Sequence, residues 1–249
     1  MRALVLAAGV GSRLLHYTDV RPKPMLEVFG EPILGYNVAM LAAAGFDDVV
    51  VNLHYLPEVV REYAGDGARW GVRVTYSEEH ELRGTAGALV PLAERFAGET
   101  FGIVFGDNLN DLDLGDMLAR HRERGSLATI AVWRRDDVSQ SGVVELDAHD
   151  RILRFIEKPA PGVTPSHLVN VGVVIAEPAL LDAIPRERPS DLGREIFPGL
   201  TRTERGLGAY RMTGGHWWFD RVDDYESALR DPRLAAFARK GRRGESPRG

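Results

Sequence analysis

The sequence predicts a three-layer α/β/α fold around a mixed, mostly parallel central sheet, and three observations carry that prediction. Short apolar runs alternate with helix-patterned segments through the first half. Such strand–helix–strand units lay strands side by side in parallel and cover the sheet with helices on both faces. In the second half strands follow one another with little helix between them, which adds antiparallel strands to the same sheet. The first strand, finally, breaks directly into a glycine loop, placing that loop at the carboxyl edge where open α/β sheets collect ligands.

Each element follows from its local pattern. Ala3–Leu6 reads as a buried strand. Ile33–Ala44 reads as a helix stopped by Gly45, and Asp48–Leu53 as the second strand. Pro57 suits the first helical position before Glu58–Tyr63. Val72–Tyr76 alternates as a strand, and Gly87–Phe96 reads as a helix with Pro91 at its start or at a kink. Thr100–Phe105 is an apolar strand ending in Gly106-Asp107, followed by a helix at Leu114–Arg124 and a strand at Leu127–Trp133. Strands come next at Gly142–Leu146, Ile152–Ile156 and Leu168–Ile175, then helices at Pro178–Ile184 and Asp191–Phe197. Short strands at Gly208–Met212 and Trp217–Phe219 lead to helical segments at Asp223–Leu229 and Leu234–Arg239. No long linker divides the chain, so residues 1–239 are expected as one domain with halves at 1–135 and 136–239, and 240–249 as a disordered tail.

Composition narrows the function. The chain of 249 residues is long enough for a sizeable core. Its formal net charge of −5 argues against nucleic-acid binding. With 0 cysteines, disulfides and thiolate-bound metals are excluded, which fits a cytoplasmic protein. No apolar run approaches the ~20 residues that span a bilayer, so no membrane partner is expected. Met1–Val10 carries Arg2 and a short apolar stretch but breaks at Gly9, too early for a signal peptide.

The chemistry begins in Leu6-Ala7-Ala8-Gly9-Val10-Gly11-Ser12-Arg13-Leu14 and Pro22-Lys23-Pro24. Glycines let backbone N–H groups approach and cradle phosphate oxygens. Arg13 adds a fixed positive charge, and Lys23 adds another between two prolines that stiffen the backbone. A lone G-x-G is weak evidence, but its specific rivals fail. A P-loop needs four residues between its glycines and then Gly-Lys-Ser/Thr. A dinucleotide fingerprint needs Gly or Ala where Leu14 stands, and an acid on the second strand where Asn52 stands, which disfavours an NAD-dependent oxidoreductase. A nucleoside-triphosphate site is the better reading. Asp107, after an apolar strand, is by itself a turn cap; beside a phosphate loop it reads as a Mg²⁺ ligand.

The pattern G-x-G-x-R-L, then Thr18, then Pro22-Lys23-Pro24-Met25-Leu26 resembles the signature of the sugar-phosphate nucleotidylyltransferases. His16 stands where that family usually has proline. The resemblance covers roughly residues 1–230 and implies the Rossmann-like, nucleotide-diphospho-sugar transferase type of fold. It implies an NTP-binding half at 1–135 and a sugar-phosphate-binding half at 136–239. Leu6, Ala8, Gly9, Gly11, Ser12, Arg13 and Lys23 would bind the nucleotide, with Gly84 and Thr85 lining the base pocket. Asp107 would be one Mg²⁺ ligand. Trp217-Trp218-Phe219-Asp220-Arg221-Val222-Asp223-Asp224-Tyr225 resembles the family's W-x-D-x-G-T-P-x-D-Y segment and makes Asp220 the second. Val222 replaces the glycine of that segment, and Asp223 is read as the cap of the following helix. Lys158 matches the residue that binds the sugar phosphate; Gly142, Glu157 and Asn170 match contacts to sugar hydroxyls.

The implied reaction is Mg²⁺-dependent transfer of a nucleoside monophosphate from an NTP to a sugar 1-phosphate, giving an NDP-sugar and pyrophosphate. A carboxylate can accept from both N1–H and the amino group of guanine, whereas uracil or thymine needs a partner that also donates. Glu79, five residues before Gly84, therefore favours GTP, with a mannose- or heptose-like 1-phosphate as acceptor. Thymidylyl-, uridylyl- or cytidylyl transfer to glucose 1-phosphate or to an alcohol-phosphate stays open, as does a regulatory module without catalysis. A homo-oligomer is compatible with the sequence.

Overall fold

A computed structural model describes residues 1–9 and 11–243, leaving aside the side chains of Leu15 and of residues 241–243. The strands are β1 (Arg2–Leu6), β2 (Glu27–Val28), β3 (Glu31–Pro32), β4 (Asp48–Leu53), β5 (Arg73–Glu78), β6 (Phe101–Phe105) and β7 (Asn108–Asn110), then β8 (Ala128–Arg134), β9 (Gly142–Leu146), β10 (Arg151–Glu157), β11 (Leu168–Ala176), β12 (Leu207–Arg211) and β13 (His216–Trp218). The helices are α1 (Ile33–Ala43), α2 (Pro57–Ala64), α3 (Gly84–Gly87), α4 (Ala93–Phe96), α5 (Leu114–Arg124), α6 (Phe197–Leu200), α7 (Val222–Leu229) and α8 (Pro232–Arg243).

Among the described residues nine strands form the central sheet, in the order β5-β4-β1-β6-β11-β8-β12-β10-β9. The first four are mutually parallel. Strand β11 inserts antiparallel between β6 and β8, and β10 pairs antiparallel with both β12 and β9. Among the described residues β10 and β11 alone run against the other seven, so the sheet is mixed and mostly parallel. The chain winds from β1 outward to β4 and β5, then returns to the other side of β1 with β6. That reversal opens a crevice at the carboxyl ends of β1 and β6, between the loop after Leu6 and the turn at Gly106-Asp107.

Strand periodicity divides the core. In β1, Leu4 joins one apolar layer, with Ile103, Ile130, Val174 and Phe197. Ala3 and Val5 join the opposite layer, with Val38, Leu41, Phe46 and Met117. A third, separate cluster lies beyond the sheet. It packs Leu14, Leu26 and Ile33 from the N-terminal segment against Trp217 and Phe219, Tyr225 of α7, and Leu234 and Ala238 of α8.

Some elements depart from their sequence patterns. The segment at 87–96 is not one helix: α3 is a single turn, a 3-10 turn covers Val90–Leu92, and α4 adds another turn. Pro91 has no N–H to continue a ladder, so the helix resets around it. Pro178–Ala183 is 3-10, and Leu192–Ile196 is a π-turn leading into α6. α8 runs to Arg243, into the segment expected as a disordered tail, because its apolar face has the third cluster to cover; residues 244–249 lie outside the described residues. The helix after Asp220 begins at Val222, so Asp223 lies inside it, and Asp224 accepts the cap hydrogen bond from the Arg221 N–H at 3.1 Å. No helix among the described residues is long and apolar enough to cross a membrane.

Leu234 is fully buried in the third cluster. Leu234→Ala is expected to cost about 2–4 kcal/mol, read as a lower urea midpoint at unchanged slope. An unaltered midpoint would show that α8 is not part of the cooperative fold.

Candidate active site

The glycine loop is anchored before it reaches the crevice. The Ala7 N–H donates to Asn52 Oδ1 at 2.6 Å, and Asn52 Nδ2 donates to Glu79 Oε1 at 2.7 Å. Glu79 Oε2 accepts the Arg83 N–H at 2.8 Å. One buried amide and one buried carboxylate thus lace the ends of β1, β4 and β5 together. Farther on, Gly11 adopts φ +68°, and a Cβ there would stand 3.0 Å from the Cβ of Lys23. Glycine is needed at this point because the lysine stem passes against the loop backbone.

Lys23 opens a 3-10 turn (Lys23–Met25) between its two prolines and is only 6% exposed. Its Nζ donates to Asp107 Oδ2 at 2.8 Å and to Asp220 Oδ1 at 2.7 Å. Asp107 occupies the turn between β6 and β7, and Asp220 follows β13. The β7–β13 pairing, with Trp218 opposite Asn108, brings the two carboxylates to one place. Burial alone would push the Lys23 ammonium down, but the two carboxylates outweigh it and hold its pKa above the ordinary value. Burial pushes the Asp220 carboxyl up; Lys23 first, then Arg13 and Arg135, outweigh it and hold it below the ordinary range.

A cavity of about 220 Å³ opens beside this clamp. It gathers Leu6, Ala8, Gly9, Lys23, Glu79, Gly84, Thr85 and Asp107 from the sequence-derived set, together with Asn52, Leu82 and Phe105. Gly11, Ser12 and Arg13 lie outside its lining. Arg13 is exposed and, among the described residues, makes no ion pair; its charge is nevertheless felt at Asp220. Thr85 lines the cavity, but its hydroxyl is committed: it donates to Asp191 Oδ2 at 2.9 Å and accepts from the Leu192 N–H at 2.8 Å.

The other sequence-derived residues sit at the carboxyl end of β10, near the start of β11 and at the start of β9. The Glu157 carboxylate makes no hydrogen bond or ion pair among the described residues. It fits a gap left by two glycines: a Cβ on Gly142 would meet Glu157 Oε2 at 2.8 Å, and one on Gly193 at 2.6 Å. Burial, with Asp191 nearby, pushes this carboxyl above its ordinary value. Lys158 is exposed, at φ +49°. A non-glycine residue there costs roughly 1–3 kcal/mol and persists only where its surroundings impose it. Asn170 Oδ1 accepts the Gly172 N–H at 2.9 Å. Sequence reasoning missed Asn52, Asp191 and Arg135. The absence of an acid on the second strand pointed at Asn52, but only as evidence against a dinucleotide site.

The family model described as nucleotidyl transferase matches residues 2–230. The chain belongs to this family. It is 37% identical over 245 residues to a UTP–glucose-1-phosphate uridylyltransferase of Synechocystis, covering 92% of this chain and 63% of that one. It is 35% identical over 219 residues to a mannose-1-phosphate guanylyltransferase of Mycobacterium tuberculosis, covering 88% and 60%. The chain therefore spans a little under two thirds of these relatives' length. Among solved structures, a Bacillus anthracis protein described as a candidate glucose-1-phosphate thymidylyltransferase, crystallised with sucrose, superposes with a TM-score of 0.82. That match covers 96% of this chain and 95% of the other at 23% identity, which speaks for the fold.

In this member of the nucleotidyl transferase family, Asp107 and Asp220 converge on one cationic centre, the Lys23 ammonium. Among the described residues no three His, Asp or Glu side chains gather as a metal cage. Two carboxylates with open surroundings fit Mg²⁺, which completes its octahedron with water and phosphate oxygens.

Because the folded Asp220 carboxyl titrates below its ordinary 3.8, it adds stability above that pH, and the gain is lost as pH falls through the acid range. Lys23→Met is expected to raise the Asp220 titration, followed by carbon NMR of the labelled carboxyl, and to flatten that acid loss. An unmoved titration would refute the clamp.

Proposed function

We propose that the chain transfers a nucleoside monophosphate from an NTP to a sugar 1-phosphate, releasing pyrophosphate. The observation that carries this reading is the Lys23 ammonium between Asp107 and Asp220 at the edge of the 220 Å³ cavity. The acceptor's phosphate oxygen is already an anion at neutral pH, so attack on the α-phosphorus in line with departing pyrophosphate needs no general base. Catalysis then consists of positioning and charge neutralisation. Lys23 neutralises charge at the α-phosphate, and exposed Arg13 meets the leaving pyrophosphate. Lys158 holds the acceptor phosphate, and Glu157 accepts hydrogen bonds from sugar hydroxyls in the gap that Gly142 and Gly193 leave. Asp107 and Asp220 would hold Mg²⁺, which supplies further neutralisation of the phosphate oxygens.

GTP is the favoured donor and a mannose-like 1-phosphate the favoured acceptor. Glu79 faces the cavity, and each of its oxygens keeps a lone pair beyond the bonds to Asn52 and Arg83. Guanylyltransferase relatives such as that of Mycobacterium tuberculosis support the same choice. Uridylyl transfer to glucose 1-phosphate is the second reading, favoured by the Synechocystis relative.

Pyrophosphate release across four NTPs and a panel of sugar 1-phosphates, with and without Mg²⁺, tests the reaction directly; release from none of the pairs would sink it. Lys23→Ala is expected to lower kcat at least about a hundredfold, the scale of one preorganised charge. Near-normal turnover would remove Lys23 from the chemistry. Glu79→Gln is expected to lower the GTP-to-UTP ratio of kcat/KM, and an unchanged ratio would count against the guanine reading.

A further inference from the structure

We propose that Arg135 is a phosphate-binding residue of this site, pre-set by stacking on Trp218. The inference deepens the transferase reading and rests on it for the identity of the phosphate carriers. Arg135 directly follows β8, one of the strands whose carboxyl end faces the crevice. Its backbone is pinned on both sides by His167: the Arg135 N–H donates to the His167 carbonyl at 2.9 Å, and the Arg135 carbonyl meets His167 Nδ1 at 3.1 Å. The guanidinium carbon lies 3.7 Å from the centre of the Trp218 ring. Stacking of this kind fixes the plane of the fork while leaving its edge donors free. Among the described residues no carboxylate or carbonyl takes any of those donors.

Placement gives the free fork its purpose. Trp218 pairs with Asn108, the residue after Asp107, and precedes Asp220 by two. A cation held over that ring stands close enough to Asp220 for its charge to be felt by that carboxylate. The charged groups there are three cations, Lys23, Arg13 and Arg135, against Asp107 and Asp220. His216, packed 5.6 Å from Trp218 between ring centres, is kept neutral because burial, then Arg135 itself, push its pKa down to about 3. It adds no charge and offers Arg135 no anion. The surplus positive charge and the unspent bidentate donors call for a phosphoryl group. Both substrates carry one, and the experiment separates them.

Arg135→Ala is expected to raise the KM of one phosphate-bearing substrate about ten- to hundredfold, the scale of a lost charge-assisted contact. The NTP and the sugar 1-phosphate are varied in turn; the one whose KM moves is the ligand. Arg135→Lys, which keeps the charge but loses the stacked fork, is expected to recover only part of the effect, and Trp218→Leu to weaken the same KM. Titration with inorganic pyrophosphate in the presence of Mg²⁺ reads the site without turnover, and binding by Arg135→Ala weaker than by the wild type supports the assignment. Pyrophosphate affinity and both KM values within twofold of wild type, in a variant with an unchanged melting temperature, would overturn it. If the wild type binds pyrophosphate and Arg135→Ala does not, yet no NTP–sugar phosphate pair turns over, the transferase reading fails and the phosphate site stands.

Discussion

The arrangement depends on one buried ammonium. Lys23 bonds two carboxylates that lie 84 and 197 residues away along the chain. A buried cation without partners is among the most costly things a fold can contain, and two carboxylates pressed together without a cation are little better. Each therefore requires the other, and the structure is organised to bring them together. Gly11 clears the path of the lysine stem, and two prolines fix its root. The β7–β13 pairing aligns the acids. The third apolar cluster ties Leu14 and Leu26, either side of the lysine, to Phe219, the neighbour of Asp220. Packing well away from any ligand thus sets the geometry of the charged clamp.

On either side of that clamp the remaining candidate residues fall into two groups. Toward β4 and β5 lies the cavity with Asn52 and Glu79. Toward β9, β10 and β11 lie Glu157 and Lys158. Thr85 and Asp191 link the two groups: Thr85 lines the cavity, and Asp191 caps the turn containing Gly193, against which the Glu157 carboxylate rests. The strand order thus sets the charged clamp at the centre, with a carboxylate-bearing group of residues on either side.

Much of this was legible in the sequence. The apolar runs of β1, β4 and β6 are bounded by clear breaks, and α1, α2 and α5 carry clear start or stop residues, so their patterns and folds agree. The glycine loop, Lys23 and Asp107 stand out because motif residues lie close together in sequence or follow a strand, and Asp220 stands out only through the resemblance of its segment to the family's. What the sequence did not disclose depends on contacts between distant segments. The hairpin of β2 and β3 and the short β7 acquire their form from neighbours. The break around Pro91 was visible only as a kink. The sequence points to Glu79 as an acceptor for a base, whereas the fold also spends it on Asn52 and the Arg83 N–H, two bonds that no local pattern reveals. Arg135 is inconspicuous in a run of charged residues until Trp218 comes to lie beneath it.

The span between Lys23 and Asp220 also has a bearing on biosynthesis. At roughly 5–20 residues per second, 197 residues of chain take about 10–40 s to emerge from the ribosome. Strands β1, β4, β5 and β6 can align within the first half of that interval. Their lysine, however, has no second carboxylate to meet, and the apolar wall of the third cluster is still unmade. Lys23 can therefore meet Asp107 while Asp220 is still to be made, and the clamp is complete only after the segment that carries β13 has emerged.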